Sequence, residues 1–312
     1  MRDVLSDLIV AAARDDERFI MLSGDHGYAL FDAIRAERPA QFINVGVAEQ
    51  NMIGVAAGLA KVGFRPCVYG LSAFVPIRVL EQIKLDLCQS RLPVMLLGDG
   101  AGLVYSTLGV SHQCGEDIAC LRPLPEIAVY SPCEAAELTA CWHEARAADY
   151  PCYIRLGKAD RPTVHAGPLP NTGPVFTHRS GGDAGGVVLV ATGSMVSPCT
   201  EFARREGAAC ISVPRIKPFP DELPGMYRSA AKVIVVEEHA GTGGLWTSVV
   251  EQAARRRDPG ATPPPMESVS LESAFTKTGG SWQHALREHG LADDQLAARL
   301  QRLISTSEHS GA

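Results

Sequence analysis

The sequence predicts an α/β protein of two domains, each built on a mainly parallel β-sheet flanked by helices. Three observations lead there. Short β-branched runs alternate with helical stretches from Phe19 to Leu156. The runs are apolar along nearly their whole length, as strands covered on both faces are. Between Arg161 and Gly186 the texture breaks into linker composition, with Pro162, Pro168, Pro170, Pro174 and a GGDAGG run, after which the alternation resumes. A length of 312 residues allows a core in each half.

Taken in order, MRDVLSDLIVAAARDDERF spaces its apolar residues for an amphipathic helix and carries charges throughout. It lacks the unbroken apolar centre and cleavage site of a secretory signal. Phe19–Gly24 reads as a strand, Ala29–Glu37 as a helix, Gln41–Val45 as a strand and Ala48–Lys61 as a helix rich in small residues. Pro66–Gly70 is a strand, Pro76–Ser90 a helix and Pro93–Gly98 a buried strand, followed by a long Gly- and Ser-containing loop, Asp99–Gly115. Strand Glu126–Tyr130, helix Glu134–Ala148 and strand Cys152–Leu156 complete a first domain of residues 1–165. Residues 166–186 are the expected linker. In the second domain, residues 187–305, strand Val187–Ala191 passes through a tight Thr192-Gly193-Ser194 turn into helix Val196–Arg205. Ala209–Val213, Val233–Val236 and Val269–Leu271 read as strands and Thr242–Arg257 as a helix, while the polar residues 306–312 are expected to be disordered.

Composition narrows the function classes. Apolar content of 46% with 21% charged residues is that of a soluble globular protein, and a net charge of −6 offers no nucleic-acid surface. No apolar run approaches the roughly 18 residues of a membrane span. Nine cysteines without a CxxC pair read as reduced, buried thiols of a cytoplasmic protein. His and Cys show no zinc-type spacing.

Four segments could carry chemistry. In Asn44-Val45-Gly46-Val47-Ala48-Glu49-Gln50-Asn51-Met52 a strand ends in a glycine turn and a carboxylate opens a helix, the edge at which open parallel sheets bind ligands. On pattern alone Glu49 is a first-turn acid stabilised by the helix dipole. The helix that follows is apolar almost all round, hence buried or pressed against another subunit. The loop 98–113 places His112 after a buried strand, where it could shuttle a proton or simply lie on the surface. Gly98-Asp99-Gly100 opens like a magnesium-binding motif, but no asparagine occurs between Asn51 and Asn171 to complete it. Asp99 is therefore read as a strand-end residue and the chain as holding no metal itself. In Val236-Glu237-Glu238-His239-Ala240-Gly241-Thr242-Gly243-Gly244-Leu245 the glycines suit an anion at a helix N-terminus or a structural turn. Neither a full GxGxxG nor a GxxxxGK[ST] pattern is present.

In order, VGVAEQNMIGVAAGLA, PVMLLGDGAG, GVSHQ, LRPLPEIAVYSP and YIRLGK resemble the pyrimidine-binding and C-terminal domains of transketolase and deoxyxylulose-phosphate synthase, over essentially residues 1–305. The resemblance implies thiamine diphosphate as cofactor and transfer of a two-carbon ketol unit from a ketose donor to an aldehyde acceptor. It implies that Glu49 contacts N1′ of the aminopyrimidine, which raises the acidity of the 4′-amino group. His112 is then placed at substrate hydroxyls, and Phe74, or Val75 by strict alignment, against the pyrimidine. Arg2 and Lys158 match positions that bind a substrate phosphate, while their companions are replaced by Ala29 and Gly100. Leu108 stands where transketolase has an acidic residue that touches sugar hydroxyls. The acceptor is thus expected to differ from the usual sugar phosphate or to bind differently.

The family's diphosphate- and metal-gripping domain has no counterpart in these residues. The resemblance therefore implies a separately encoded partner that holds most of the Mg site, in an assembly of two plus two chains. Two other readings remain open: the beta subunit of a 2-oxo acid dehydrogenase first component, and a non-catalytic subunit that kept the fold.

Overall fold

The structure is a computed structural model and describes residues 1–158, 161–180, 186–255 and 262–305. Its strands are β1 Phe19–Ser23, β2 Phe42–Asn44, β3 Arg65–Leu71, β4 Met95–Asp99, β5 Ala128–Tyr130, β6 Cys152–Leu156, β7 Val175–His178, β8 Val187–Ala191, β9 Ala209–Ser212, β10 Arg215–Lys217, β11 Lys232–Ala240 and β12 Met266–Leu271. The helices are α1 Arg2–Asp15, α2 Asp32–Glu37, α3 Glu49–Lys61, α4 Leu80–Gln82, α5 Asp117–Leu121, α6 Ala135–Ala147, α7 Val196–Glu206, α8 Leu223–Met226, α9 Leu245–Arg255, α10 Trp282–Glu288 and α11 Asp293–Ser305. No described helix is long and apolar enough to cross a membrane.

Two sheets result. The first runs β10-β5-β6-β4-β3-β1-β2, and all its neighbours are parallel except β10 against β5. The second runs β12-β11-β8-β9-β7, with only β7 antiparallel, against β9. As the apolar runs required, β1, β4 and β6 are buried almost throughout, with helices on either side. The chain steps from β1 out to β2 and back across to β3, so the sheet reverses direction between β1 and β3. That reversal opens a crevice at the carboxyl ends of the strands.

Several expected elements differ in detail. The helix expected from Ala29 starts at Asp32, because Ala29 has φ +63 and cannot lie in a right-handed helix. The stretch expected as one helix from Pro76 to Ser90 is a 3₁₀ turn at Ile77–Val79, then α4, then a π-helical turn at Ile83–Cys88. Within the expected linker, Val175–His178 forms β7 on the edge of the second sheet; residues 181–185 of that linker lie outside the described residues. So do the final residues expected in the Thr242–Arg257 helix and the tail expected to be disordered.

The two halves are not separate sheets joined by a tether. Arg215–Lys217, downstream of the linker, forms the edge strand of the first sheet. The junction is also polar and buried. The Arg155 guanidinium binds the Asp117 carboxylate at 2.9 Å and donates to Glu238 O at 2.8 Å, with Arg155 and Asp117 both essentially sealed from solvent. Tyr153 donates its hydroxyl to the same carboxylate at 2.8 Å. All nine cysteines are free thiols, and burial pushes several of them up, Cys88 and Cys210 to about 11. Such thiols stay protonated and unreactive at neutral pH.

Candidate active site

Four loops at the carboxyl edge of the first sheet converge. The turn after β1 carries His26, the turn after β2 leads into Glu49, the segment after β3 carries Phe74 and Arg78, and the loop after β4 carries His112. Asn44 knits the first two turns: its Oδ1 accepts from the N–H of Gly46 at 2.9 Å and of Asp25 at 3.1 Å. Gly46 adopts φ +72, which turns the chain sharply enough for α3 to begin three residues later.

Glu49 is the first residue of α3 and continues the helix's buried stripe of Met52, Ile53, Ala56, Ala57 and Ala60. It is only 3% exposed. Its Oε2 accepts from Arg78 Nη1 at 2.9 Å, while its Oε1 is buried with no partner. A buried acceptor left unpaired costs roughly 1–3 kcal/mol, so Oε1 has the capacity to accept a hydrogen bond. The Arg78 guanidinium lies 3.9 Å from the centre of the Phe74 ring. Against that ring, His112 stands edge-on at 5.2 Å and His26 tilts at 6.3 Å. His112 Nδ1 contacts Ser111 Oγ at 2.9 Å, and His26 Nε2 is a second buried atom with no partner. A carboxylate, a guanidinium, a phenyl ring and two imidazoles therefore share one patch.

Glu49, Phe74 and His112 are brought together as the sequence suggested. Val75 is not part of this group. It is fully buried in the core, and its Cγ2 lies 2.8 Å from where a side chain on Gly70 would begin. Of the two candidates, Phe74 is the one whose ring lies in this group. His26 and Arg78 were missed. The strand-end rule applied to β1 would have raised His26, whereas Arg78 sat inside an expected helix and gave no signal. Arg2, at the start of α1, donates to Tyr28 O at 2.6 Å and lines a cavity of about 260 Å³ with Ser6, Asp7 and Ala29. Lys158 lies two residues beyond β6 on the same edge. Leu108 is 56% exposed on the loop that carries His112.

Asp99 accepts the Tyr105 hydroxyl at 2.6 Å and also bonds Tyr69; burial and then this carboxylate push both phenols above their ordinary range. Gly100, at φ +71, leaves room for the Tyr105 ring. The carboxylate is thus spent on packing the strand end. The glycine run at the start of α9 is likewise filled from within, since Glu237 accepts the N–H of Leu245 at 2.7 Å and of Trp246 at 2.9 Å. Cys133, Glu137 and His165 lie close enough to ligate a metal ion. The Glu137 oxygens are already taken by Cys133 N–H, Ser212 Oγ and His165 Nε2, at 2.8, 2.6 and 2.8 Å, so the cluster is complete as a hydrogen-bond knot.

Residues 1–163 match the profile of the transketolase pyrimidine-binding domain, over half of the chain. The chain belongs to the transketolase family. Residues 179–272 match the transketolase C-terminal domain. The chain is 32% identical over 294 residues to the 6-deoxy-6-sulfo-D-fructose transketolase subunit SqwH of a Clostridium species, covering 89% of this chain and 87% of that protein. It is 32% identical over 259 residues to an apulose-4-phosphate transketolase subunit of Phocaeicola vulgatus, covering 80% of this chain and 82% of that protein. A solved structure described as a split gene transketolase, inactive beta4 tetramer, superposes with a TM-score of 0.84 at 27% identity and covers 97% of this chain and 98% of that one. The two sheets are thus the cores of the pyrimidine-binding and C-terminal domains of this family.

Proposed function

We propose that the chain is the pyrimidine-binding subunit of a two-component, thiamine-diphosphate-dependent transketolase, active only with a partner subunit that grips the diphosphate and Mg. The unpartnered Oε1 of Glu49, buried at the start of α3 on a carboxylate that Arg78 links to the Phe74 ring, carries this reading. When bound, thiamine diphosphate supplies the reactive carbon that breaks the bond beside a ketose carbonyl and hands two carbons to an aldehyde. Glu49 Oε1 is suited to hold a proton at N1′ of the pyrimidine. Arg78 fixes the other carboxylate oxygen and so aims Oε1. Phe74 offers a ring face to the pyrimidine, and burial of Glu49 keeps water from competing for its oxygen. His112 is the polar group for substrate hydroxyls, where it can move a proton as the bond breaks.

Two relatives named as subunits and one solved structure named as a split-gene protein support a two-chain enzyme, which we read as two plus two chains. The outward face of α3 supports it too: Gly54 and Gly58 have open space where side chains would begin, so a second chain can approach this backbone closely. The relatives' names carry two different ketoses, so the family site tolerates changed substrates. With Ala29 and Gly100 in place of polar phosphate contacts, Arg2 and Lys158 alone supply charge, and we infer an acceptor other than the usual sugar phosphate. Co-expression with a diphosphate-binding partner, followed by ketol-transfer assays with free and phosphorylated aldoses, tests both statements. Transfer only in the presence of both chains supports the first; 2-oxo acid decarboxylation without ketol transfer refutes it. Efficient use of ribose 5-phosphate refutes the second.

A further inference from the structure

The loop that carries His112 is pinned at its base and along its two flanks by the C-terminal domain. Its base is closed by paired backbone bonds, Gly102 N–H to Cys114 O at 2.7 Å and Cys114 N–H to Gly102 O at 2.8 Å. Glu238, on β11, is 2% exposed. Its Oε1 accepts Leu103 N–H at 2.7 Å and Trp282 Nε1–H at 2.9 Å, and its other oxygen takes the Ser194 hydroxyl. Gly102 sits at φ +72, and a side chain there would collide with Glu238 Oε1, so the carboxylate reaches the loop only past a glycine. The Glu238 backbone oxygen is held through Arg155, which also reaches Cys114 O at 3.5 Å. Just above the base, Gln113 Nε2 donates to Ser106 Oγ at 3.1 Å while its Oε1 accepts the Thr276 hydroxyl at 3.0 Å. Gly280 N–H reaches Ser106 O at 3.4 Å.

We propose that Glu238 and Thr276 are positioning residues for His112: the C-terminal domain sets the height of the substrate-facing imidazole above the sheet without touching substrate. The physical case is one of geometry. A loop of this length with two 3₁₀ turns has little apolar anchoring of its own at its exposed tip, where Leu108 and Val110 face solvent. Its shape is instead dictated by a buried carboxylate that collects three donors, and by one side-chain bond next to His112. Misplacement of a catalytic side chain by about an ångström is enough to cost a large part of the rate. This inference rests on the reading of His112 as the group for substrate hydroxyls.

The test uses the assembled enzyme. Thr276→Val keeps the shape and removes the hydroxyl that bonds Gln113 Oε1 and, at 3.2 Å, His289 Nε2; His289→Asn, which touches only the second of these, is the control. Glu238→Gln keeps an oxygen for the two N–H donors and serves as the conservative control, against Glu238→Leu. For Thr276→Val the expected result is about fivefold faster hydrogen exchange at residues 106–113, with native exchange in β11 and cofactor affinity within about twofold. Its kcat/KM for the ketose falls about five- to tenfold. Glu238→Gln stays close to the parent enzyme, and Glu238→Leu, where it folds, loses more than Thr276→Val. A kcat/KM for Thr276→Val within about twofold of the parent, or a loss that tracks cofactor affinity, overturns the proposal. Hydrogen exchange needs no turnover. An inactive parent pair with an anchored loop would therefore sink the ketol-transfer reading, and an active parent with an indifferent Thr276→Val would sink this one.

Discussion

At the scale of single residues, the site turns on how Glu49 is held. Arg78 takes one of its oxygens and leaves the other buried without a partner. Replacing Glu49 by Gln keeps the shape but presents an amide to the coenzyme. Turnover should fall about 10²–10⁴-fold while the melting temperature stays near that of the parent, and steady-state kinetics with thermal unfolding checks both. Arg78→Met should lower both activity and melting temperature, because it removes the described partner of a carboxylate that is only 3% exposed. A fall of about tenfold or more in kcat/KM is expected, and parental kinetics in Arg78→Met would remove its aiming role. Glu49 and His112 were legible in the sequence only through the ordered set of segments around them, since a first-turn acid and a loop histidine are common alone. Arg78 was not legible, because its place comes from two loops meeting over one ring, whereas His26 follows a strand end and was there to be read.

At the scale of elements, strands were read best where burial on both faces leaves unbroken apolar runs, as in β1, β4, β6 and β8. Reading failed where an element is short or its pattern is diluted. Arg215–Lys217 is three residues between Pro214 and Pro218, and Val175–His178 is half-buried along its length in a proline-rich stretch. The helix Asp293–Ser305 buries only Leu296 and Leu300, so its apolar stripe is thin. One inter-element tie predicts pH dependence. His165 bonds Glu137 of α6, which also holds Ser212 of β9. Burial alone would lower the His165 pKa, but the Glu137 carboxylate outweighs it and the net shift is upward from 6.5. A raised folded value means the pair stabilises fully below the unfolded value and loses this contribution as pH rises through the folded one. The melting-temperature gap between the parent and His165→Asn should therefore be larger at about pH 5.5 than at about pH 8.5. An equal gap at both would refute the tie.

At the scale of the whole molecule, the domain junction combines an apolar core shared by both halves with a polar tie, in which Arg155, paired with Asp117 inside the first domain, donates across to Glu238 O. Asp117 and Arg155 are sealed together, with Tyr153 on the same carboxylate. Removing one partner strands the other, so Asp117→Leu should cost about 3–5 kcal/mol in denaturant unfolding, and a cost under about 1 kcal/mol would contradict the burial seen here. The domain plan was readable as two α/β units, because composition shifts sharply at the proline-rich segment. The crossing of β10 was not, since no local pattern tells a strand which sheet it will join. That crossing has an effect on shuffled genes. A chimera spliced within residues 166–186 would lay a foreign strand against Ala128–Tyr130, and its fate would depend on whether three borrowed residues match the host's edge. The two halves are therefore best exchanged as a single cassette.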